Sequence, residues 1–172
     1  MSRLSMSLFG PLLRGCGIVA VLVLMASSAA FAIPVPLSLD DLIEQSDVIA
    51  HGIVADLDSR REAEGANIYS IVTVDVSQLV LERRAGGTPP AKVTFRIEGG
   101  TVGEETVATS ISPELQKGDE GVFFLAHDSG EDTLTLVGGQ QGFIPIDGGT
   151  VMVEGRKQPV REFLDDVARR LP

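Results

Sequence analysis

The chain has 172 residues, with fourteen lysines and arginines against twenty-four aspartates and glutamates, which gives a formal net charge of −10. Such a negative field repels nucleic acid and anionic lipid head groups, so neither is a predicted partner. Cys16 is the sole cysteine, so a stable fold must depend on packing rather than on disulfides within the chain.

Residues 1–32 have the features of a cleaved signal peptide. Arg3 and Arg14 provide positive charge before an apolar run at 17–25, and Ala30-Phe31-Ala32 fits the A-x-A cleavage pattern. The apolar run is shorter than the roughly 20 residues of a comfortable membrane span. We therefore expect a secreted or periplasmic protein, with a membrane anchor formed by the uncleaved segment as the alternative. Cleavage leaves 140 residues, the length of one domain.

A short helix that passes directly into a strand begins the predicted fold at residues 39–54. Ser38 and Asp41 form a capping signal, and an apolar stripe with i, i+3, i+4 spacing follows. The helix is predicted to end at Ser46-Asp47. In the strand that follows, Gly52 indicates a bulge, a bend or the close approach of another backbone.

The next predicted strand, at residues 69–81, changes phase along its length. Apolar residues occupy even positions as far as Val76, whereas Leu79 and Leu81 fall on odd positions. A slip of one residue would turn these leucines to solvent unless an extra residue is absorbed. The pattern therefore predicts a bulge or break at Ser77-Gln78.

The rest of the chain predicts short strands separated by turns. The polar segment at 56–67 is interpreted as a hairpin loop. The later predicted strands cover residues 92–98, 101–110, 120–127, 133–137, 142–146 and 150–153. The segment at 120–127 is apolar on both faces, so we expect it to be central in the sheet or covered by a helix.

An amphipathic helix at 159–172 closes the chain. Pro159 suits its first turn. Its apolar positions recur at helical spacing and are Val160, Phe163, Leu164, Val167 and Leu171. Such a stripe must be covered by the protein's own sheet or by a partner, and its own sheet is the favoured cover. The many short strands separated by turns predict a mainly β fold, a barrel or a sandwich, with a short N-terminal helix and this C-terminal helix.

Neither histidine is predicted to bind a metal. His51 and His127 lie on predicted strands without a second histidine, cysteine or glutamate at ligand spacing, whereas a zinc site needs three or four such groups. The acidic segments at 56–58 and 128–132 lack the spacing of a calcium loop and are interpreted as solvated turns. We predict no metal site, no cofactor and no catalytic residue.

The remaining motifs do not predict a reaction. The chain has no G-x-S-x-G sequence, and a Ser/His/Asp triad would need scattered residues. A pair of carboxylates of the glycosidase type stays open because acidic residues are numerous, although no tryptophan and one tyrosine leave little to stack on a sugar. Residues 138–142 lack the G-K-[ST] ending of a phosphate loop and predict a turn. Beside them, Gln140, Gln141 and Phe143 form an uncharged edge.

Four motifs carry a resemblance to known proteins, the first of them to a known superfamily. Residues 45–54, Gln-Ser-Asp-Val-Ile-Ala-His-Gly-Ile-Val, are similar to the start of the OB-like barrel in the netrin and metalloproteinase-inhibitor (TIMP-like) superfamily. Uncharacterised secreted bacterial proteins combine this start with a long strand rich in Tyr and Thr, a G-[DE]-E-x-[VL]-x-F-L strand and a Q-G-[KR]-F turn. The matching segments are 68–81, 118–125 and Gln141-Gly142-Phe143, the last without its basic residue.

The resemblance implies a fold but not an activity: a mainly β fold with an antiparallel OB-like β-barrel over 33–158, a short N-terminal helix and the C-terminal helix at 159–172 packed on the barrel. In metalloproteinase inhibitors, the amine and carbonyl of a mature N-terminal cysteine chelate the protease zinc. Cleavage after Ala32 would place Ile33 at the N-terminus, so no functional residue carries over. We expect an exported, non-enzymatic binding domain whose partner is another extracytoplasmic protein. The alternatives are a metalloprotease inhibitor that uses residues 33–36 and a hydrolase that uses Asp or Glu.

Overall fold

The computed structural model describes residues 36–62, 67–83, 89–128 and 133–172, which all belong to one compact unit. The predicted signal peptide lies outside the described residues, as do most of the predicted N-terminal arm and of the acidic turn at 128–132. The described residues form two α-helices, α1 at Leu39–Gln45 and α2 at Val160–Arg170. Neither of these helices is long and apolar enough to cross a membrane.

Ten strands lie between the two helices in the described part of the chain. They are β1 (Val48–Arg61), β2 (Ile68–Glu82), β3 (Lys92–Glu98), β4 (Gly100–Val102), β5 (Glu105–Val107), β6 (Glu120–His127), β7 (Leu134–Leu136), β8 (Phe143–Asp147), β9 (Thr150–Val153) and β10 (Arg156–Pro159). A 3-10 turn at Gly139–Gly142 connects β7 to β8.

Five of these strands close into a barrel in the order β1-β2-β3-β7-β6, because β6 pairs back with β1. The barrel neighbours are antiparallel except β3 and β7, which are parallel where Phe95 faces Leu134. The predicted mainly β class with a barrel and two helices is confirmed, and the parallel pair is an addition to the antiparallel arrangement expected. Strands β8, β9 and β10 extend the sheet beyond β6, while β4 and β5 form a separate hairpin.

Helix α1 has the bounds and the cap that its sequence predicts. The Ser38 hydroxyl oxygen accepts a hydrogen bond from the Asp41 N–H at 3.2 Å, and the Asp41 carboxylate accepts one from the Ser38 N–H at 3.0 Å. The two bonds form a capping box that satisfies donors at the start of the helix. At the other end, the Ser46 hydroxyl donates to the Leu42 carbonyl oxygen at 2.6 Å.

Strand β2 contains the predicted bulge. Its register with β1 skips Ser77, which confirms the irregularity predicted at Ser77-Gln78, and it also skips Val80. These skips allow Leu79 to pack inside the barrel while Leu81 packs on the side of the helices. The change of phase in the sequence therefore lets the two half-buried leucines pack against different cores.

Gly52 lies where the backbones of β1 and β2 approach closely. A Cβ atom at this position would lie 2.6 Å from the Val74 Cγ1 atom and would collide with the Asp75 carbonyl oxygen. Cβ atoms in proteins essentially never lie less than 3.0 Å from such a neighbouring atom. The predicted close approach of another backbone is thus confirmed, and the β1–β2 register shift between His51 and Gly52 also fits the predicted bulge.

The polar segment at 56–67 is not a hairpin loop as predicted. Strand β1 continues to Arg61 and pairs with β2 as far as Ile68, so the turn is shorter. Half-buried Leu57 and Ser59 alternate with exposed residues along this part of β1. Because one of the inward positions is a serine, the alternation of a half-buried strand does not show as an apolar pattern.

Two further predictions near the surface are corrected. The single strand expected at 101–110 is a hairpin in which β4 and β5 flank Gly103, whose φ is +63°. Strand β10 was not predicted, because Arg156–Pro159 has no apolar alternation. It pairs only with β9 among the described strands. Its charged residues and proline are typical of an edge strand that resists pairing with other chains.

The protein has two hydrophobic cores that share β6. Inside the barrel, the Phe123 ring lies 5.6 Å from Phe95 and 5.1 Å from Phe143, measured between ring centroids. On the opposite face of β6, Val122 and Phe124 pack with the apolar stripes of α1 and α2. Strand β6 is therefore buried on both faces, as its sequence predicts, and the α2 stripe is covered by the protein's own sheet.

Candidate functional site

A cavity of about 290 Å³ opens at the end of the barrel where β1 ends and β2 begins. We name it the hairpin cavity. Its walls are inward residues of β1 and β2, the end of β3, the β4–β5 hairpin and the segment at 108–115. Leu57, Ile97 and Leu115 supply apolar surface that belongs to the barrel core or packs against it. Six further lining residues carry hydroxyl groups, so the cavity combines an apolar base with hydroxyl groups in its walls; they are Ser59, Ser70, Thr101, Thr106, Thr109 and Ser112.

Three hydrogen bonds form a chain along one wall of the hairpin cavity. Ser70, which is only 1% exposed, donates its hydroxyl hydrogen to the Gly99 carbonyl oxygen at 2.8 Å. Because that hydrogen is used, the 2.8 Å contact between Ser59 and Ser70 has Ser59 as its donor. The Ser59 oxygen in turn accepts a bond from the Thr101 N–H at 3.2 Å. The chain fastens the base of the β4–β5 hairpin to β1 and β2.

Glycine is required where the hairpin meets this chain. Gly99 and Gly100 have φ angles of +92° and +137°, which residues with side chains rarely adopt. A Cβ atom on Gly100 would also collide with the hydroxyl oxygens of Ser59 and Ser70. The hairpin therefore lies close to the two serines because the glycines leave room, and the shape of the cavity depends on that approach.

Both histidines have a carboxylate partner from a distant part of the sequence. His51 Nε2 lies 2.7 Å from a Glu120 carboxylate oxygen, across the β1–β6 pair. His127 Nδ1 lies 3.0 Å from an Asp47 carboxylate oxygen, which also accepts the His127 backbone N–H at 2.9 Å. The partners are 69 and 80 residues away, so spacing along the sequence did not reveal them. Both pairs join β6 to the start of β1, which gives them a role in closing the barrel.

Arg96 lies at the centre of a charged cluster on the outer face of β3. Its guanidinium lies over the Tyr69 ring at 4.2 Å and contacts Glu62 at 2.6 Å and Glu98 at 3.3 Å. Burial opposes the charged form, but the bonds to Glu62 and the charge of Glu98 outweigh it and raise the pKa of Arg96. Its Nε atom is buried and has no hydrogen-bond partner in the described structure. Since solvent does not reach that atom, it does not offer a binding position.

The other candidate segments have structural roles or lie outside the described residues. Residues 138–142 form the predicted turn, and Gln141 accepts a hydrogen bond from the Leu37 N–H at 2.7 Å, while Gln140 is exposed. Asp58 is paired with Arg60 at 2.7 Å. Across the described part of the chain, no three His, Cys, Asp or Glu side chains lie close enough together to hold a metal ion.

The residues of the hairpin cavity were not singled out from the sequence. Ser59 and Ser70 face each other directly in the β1–β2 register, and each occupies an inward position where an apolar residue is expected. Polar residues at inward positions of two paired strands were the available signal. That signal is weak without knowledge of the register, which a single sequence does not fix at this end of the hairpin.

The fold and the cavity define a small five-stranded mixed β-barrel with two helices and a cavity of mixed apolar and hydroxyl lining at one end. A scan against models of protein families gives no match, and a search of curated proteins finds no similar sequence. The resemblance to the TIMP-like superfamily therefore stays a prediction, and the barrel architecture is what the structure shows.

Proposed function

We propose that the protein is an exported, non-enzymatic binding domain whose ligand occupies the hairpin cavity. The observation that carries the proposal is the cavity itself, in which hydroxyl groups are held in fixed positions above an apolar base. Sites for small ligands combine apolar surface with a few precisely placed polar groups. A volume of about 290 Å³ suits a small molecule or one side chain of another protein.

The construction of the walls supports binding without reorganisation. The hydrogen-bond chain through Ser59 and Ser70 joins three separate segments of the backbone. A site whose groups are already held in place loses less conformational entropy when a ligand binds. The hairpin cavity therefore has the preorganisation that a binding domain needs.

The placement of the titratable groups favours binding over catalysis. Both histidines are paired with carboxylates, and neither belongs to the lining of the hairpin cavity. The Ser59 and Ser70 hydroxyls bond to each other and to backbone groups rather than to a general base. An activated serine nucleophile needs an adjacent base, so the wall serines are better suited to hold a ligand than to attack one.

The proposal is tested by screening a chemically diverse fragment library by ¹H–¹⁵N correlation NMR with the purified protein. We expect saturable shifts in the amide signals of the β4–β5 hairpin and of residues 108–115. Ser112→Leu places a larger side chain in the lining and is expected to abolish these shifts. Ser110→Leu makes the same change at an exposed position outside the lining and is expected to preserve them.

Two results would refute the proposed function. One is a screen in which no fragment shifts the cavity signals. The other is turnover of ester, peptide or glycoside substrates that Ser112→Leu abolishes and Ser110→Leu does not, because the cavity would then be an active site. Inhibition of a metalloprotease that survives Ser112→Leu would place the binding surface elsewhere and would favour the inhibitor alternative.

A further inference from the structure

We infer that the hairpin cavity binds a cationic hydrogen-bond donor, an alkylammonium or guanidinium group such as the end of a lysine or arginine side chain. The inference rests on the proposed function and names the chemical class of the ligand. It depends on which hydroxyl hydrogens of the cavity already form hydrogen bonds and on the charges of its lining.

The fixed wall of the hairpin cavity offers acceptors rather than donors. The Ser70 hydrogen is directed to the Gly99 carbonyl oxygen, and the Ser59 hydrogen is directed to Ser70. A hydroxyl oxygen has two lone pairs. Because Ser59 uses one lone pair for the Thr101 N–H, it keeps the other for a ligand but has no hydrogen left to donate.

The other hydroxyl groups of the hairpin cavity have the same bias. The Thr109 hydroxyl donates to the Glu98 carbonyl oxygen at 3.4 Å, so its oxygen is left as an acceptor. Thr101 and Thr106 lie 2.9 Å apart and use one hydrogen between them. The hydroxyl of Ser112 and one hydroxyl of the threonine pair keep a hydrogen, and both also keep lone pairs. A ligand rich in donors therefore finds more partners than a ligand rich in acceptors.

The charge of the lining selects a cation among such donors. Glu98 and Glu114 belong to the lining, but the Glu98 carboxylate lies on the outer face of β3, where it contacts Arg96 at 3.3 Å. Glu114 is exposed, has no ion-pair partner among the described residues, and is therefore the lining charge that favours a cation. The predominantly acidic chain adds a field of the same sign. Anions are therefore disfavoured, and neutral donors lack the electrostatic gain of a cation.

The apolar base of the hairpin cavity provides a surface on which the aliphatic part of the ligand packs. Leu57, Ile97 and Leu115 present hydrocarbon surface to the hairpin cavity. Lysine and arginine carry aliphatic stems that pack on such surface while the charged end keeps its hydrogen bonds. A free alkylamine has the same two parts, so the chemistry is shared by a free amine and by a side chain of a partner protein.

The test compares four blocked amino acids of similar size in NMR titrations of the purified protein. They are N-acetyl methylamides of lysine, arginine, norleucine and glutamate, of which norleucine is the neutral analogue of lysine. We expect saturable binding of the lysine and arginine compounds, weaker binding of norleucine, and none of glutamate. Butylammonium forms a further arm, because tighter binding of butylammonium than of blocked lysine would identify a free amine as the natural source.

A pair of charge variants locates the effect in the hairpin cavity. Glu114→Gln is expected to weaken the binding of blocked lysine by about two- to fivefold, the range of a partly exposed ion pair. Glu104→Gln removes the same charge from the β4–β5 hairpin outside the lining and is expected to leave the affinity unchanged. Raising the salt concentration should weaken the binding of blocked lysine but not that of norleucine.

The outcomes separate this inference from the proposed function. Binding of norleucine or glutamate in the hairpin cavity with an affinity equal to that of lysine overturns the cationic inference and leaves a binding domain. Equal effects of Glu114→Gln and Glu104→Gln also overturn it, because the attraction would then come from the overall charge. A cavity that binds none of these compounds and no fragment overturns both.

Discussion

At the scale of single residues, several identities are dictated by contacts that leave no space for an alternative. Gly52 is one example, because the backbone of β2 occupies the place where its side chain would be. Gly100 is another, because the Ser59 and Ser70 hydroxyls lie there. The first neighbour is backbone of β2, which is paired with β1 and β3, and the two serines are held by their hydrogen bonds, so neither moves aside easily.

Replacement of Gly52 tests this reading most simply. We expect Gly52→Ala to lower the free energy of unfolding by about 3 kcal/mol, the upper part of the range for an overpacked site. Gly103→Ala is the matched control, because no atom lies within 4 Å of its Cβ position and its φ is +63°. Gly103→Ala should lower the free energy of unfolding by about 1 kcal/mol, because only the backbone conformation opposes the added side chain. Urea denaturation of both variants measures the difference, and equal costs would contradict the close approach.

The capping box of helix α1 predicts how the stability of the protein changes with pH. Hydrogen bonds from the Ser38 hydroxyl and the Ser38 N–H lower the pKa of Asp41 from 3.8. A carboxyl group with a lowered folded pKa stabilises the fold above its unfolded pKa, and this stabilisation is lost as the pH falls through the folded pKa. We therefore expect Asp41→Asn to reduce stability at neutral pH and to shrink the loss of stability on acidification below about pH 4. Glu44→Gln, in the same helix, should retain the wild-type profile in urea denaturation.

At the scale of elements, the sequence predicts the helices and strands in which the buried positions are occupied by apolar residues. Strands β3, β6 and β9 and helix α1 have the predicted bounds. Ser59 explains why the end of β1 was missed, since a serine at an inward position hides the alternation. Strand β10 was missed because an edge strand needs no apolar residue, and its charges serve to prevent further pairing.

Among the elements, helix α2 offers the clearest test of how packing on the sheet contributes to the free energy of unfolding. Phe163 is fully buried between the helix and the sheet. Phe163→Ala should lower the free energy of unfolding by about 3–5 kcal/mol, because it removes buried apolar surface and leaves a cavity. Glu162→Ala, at an exposed position of the same helix, should change it by less than about 0.5 kcal/mol. Near-equal unfolding midpoints for the two variants would mean that α2 is not part of the cooperative core.

At the scale of the whole molecule, the barrel brings together groups that are far apart in the sequence. Ser70 and Gly99 are 29 residues apart, and the lining of the hairpin cavity extends from β1 to residue 115. The fold class was predictable because periodicity and turn residues are local signals. The cavity was not, because it depends on the β1–β2 register and on how close the β4–β5 hairpin lies to the barrel.

The binding of a cationic side chain in the hairpin cavity is tested most directly by intermolecular nuclear Overhauser effects with blocked lysine. We predict effects from the ε-methylene protons of the ligand to the methyl groups of Ile97 and Leu115, which lie in the lining. They should disappear in Ser112→Leu and persist in Ser110→Leu. Effects to the exposed side chains of Ile53 or Met152, or saturable binding with none at the cavity methyl groups, would contradict the assignment of the site.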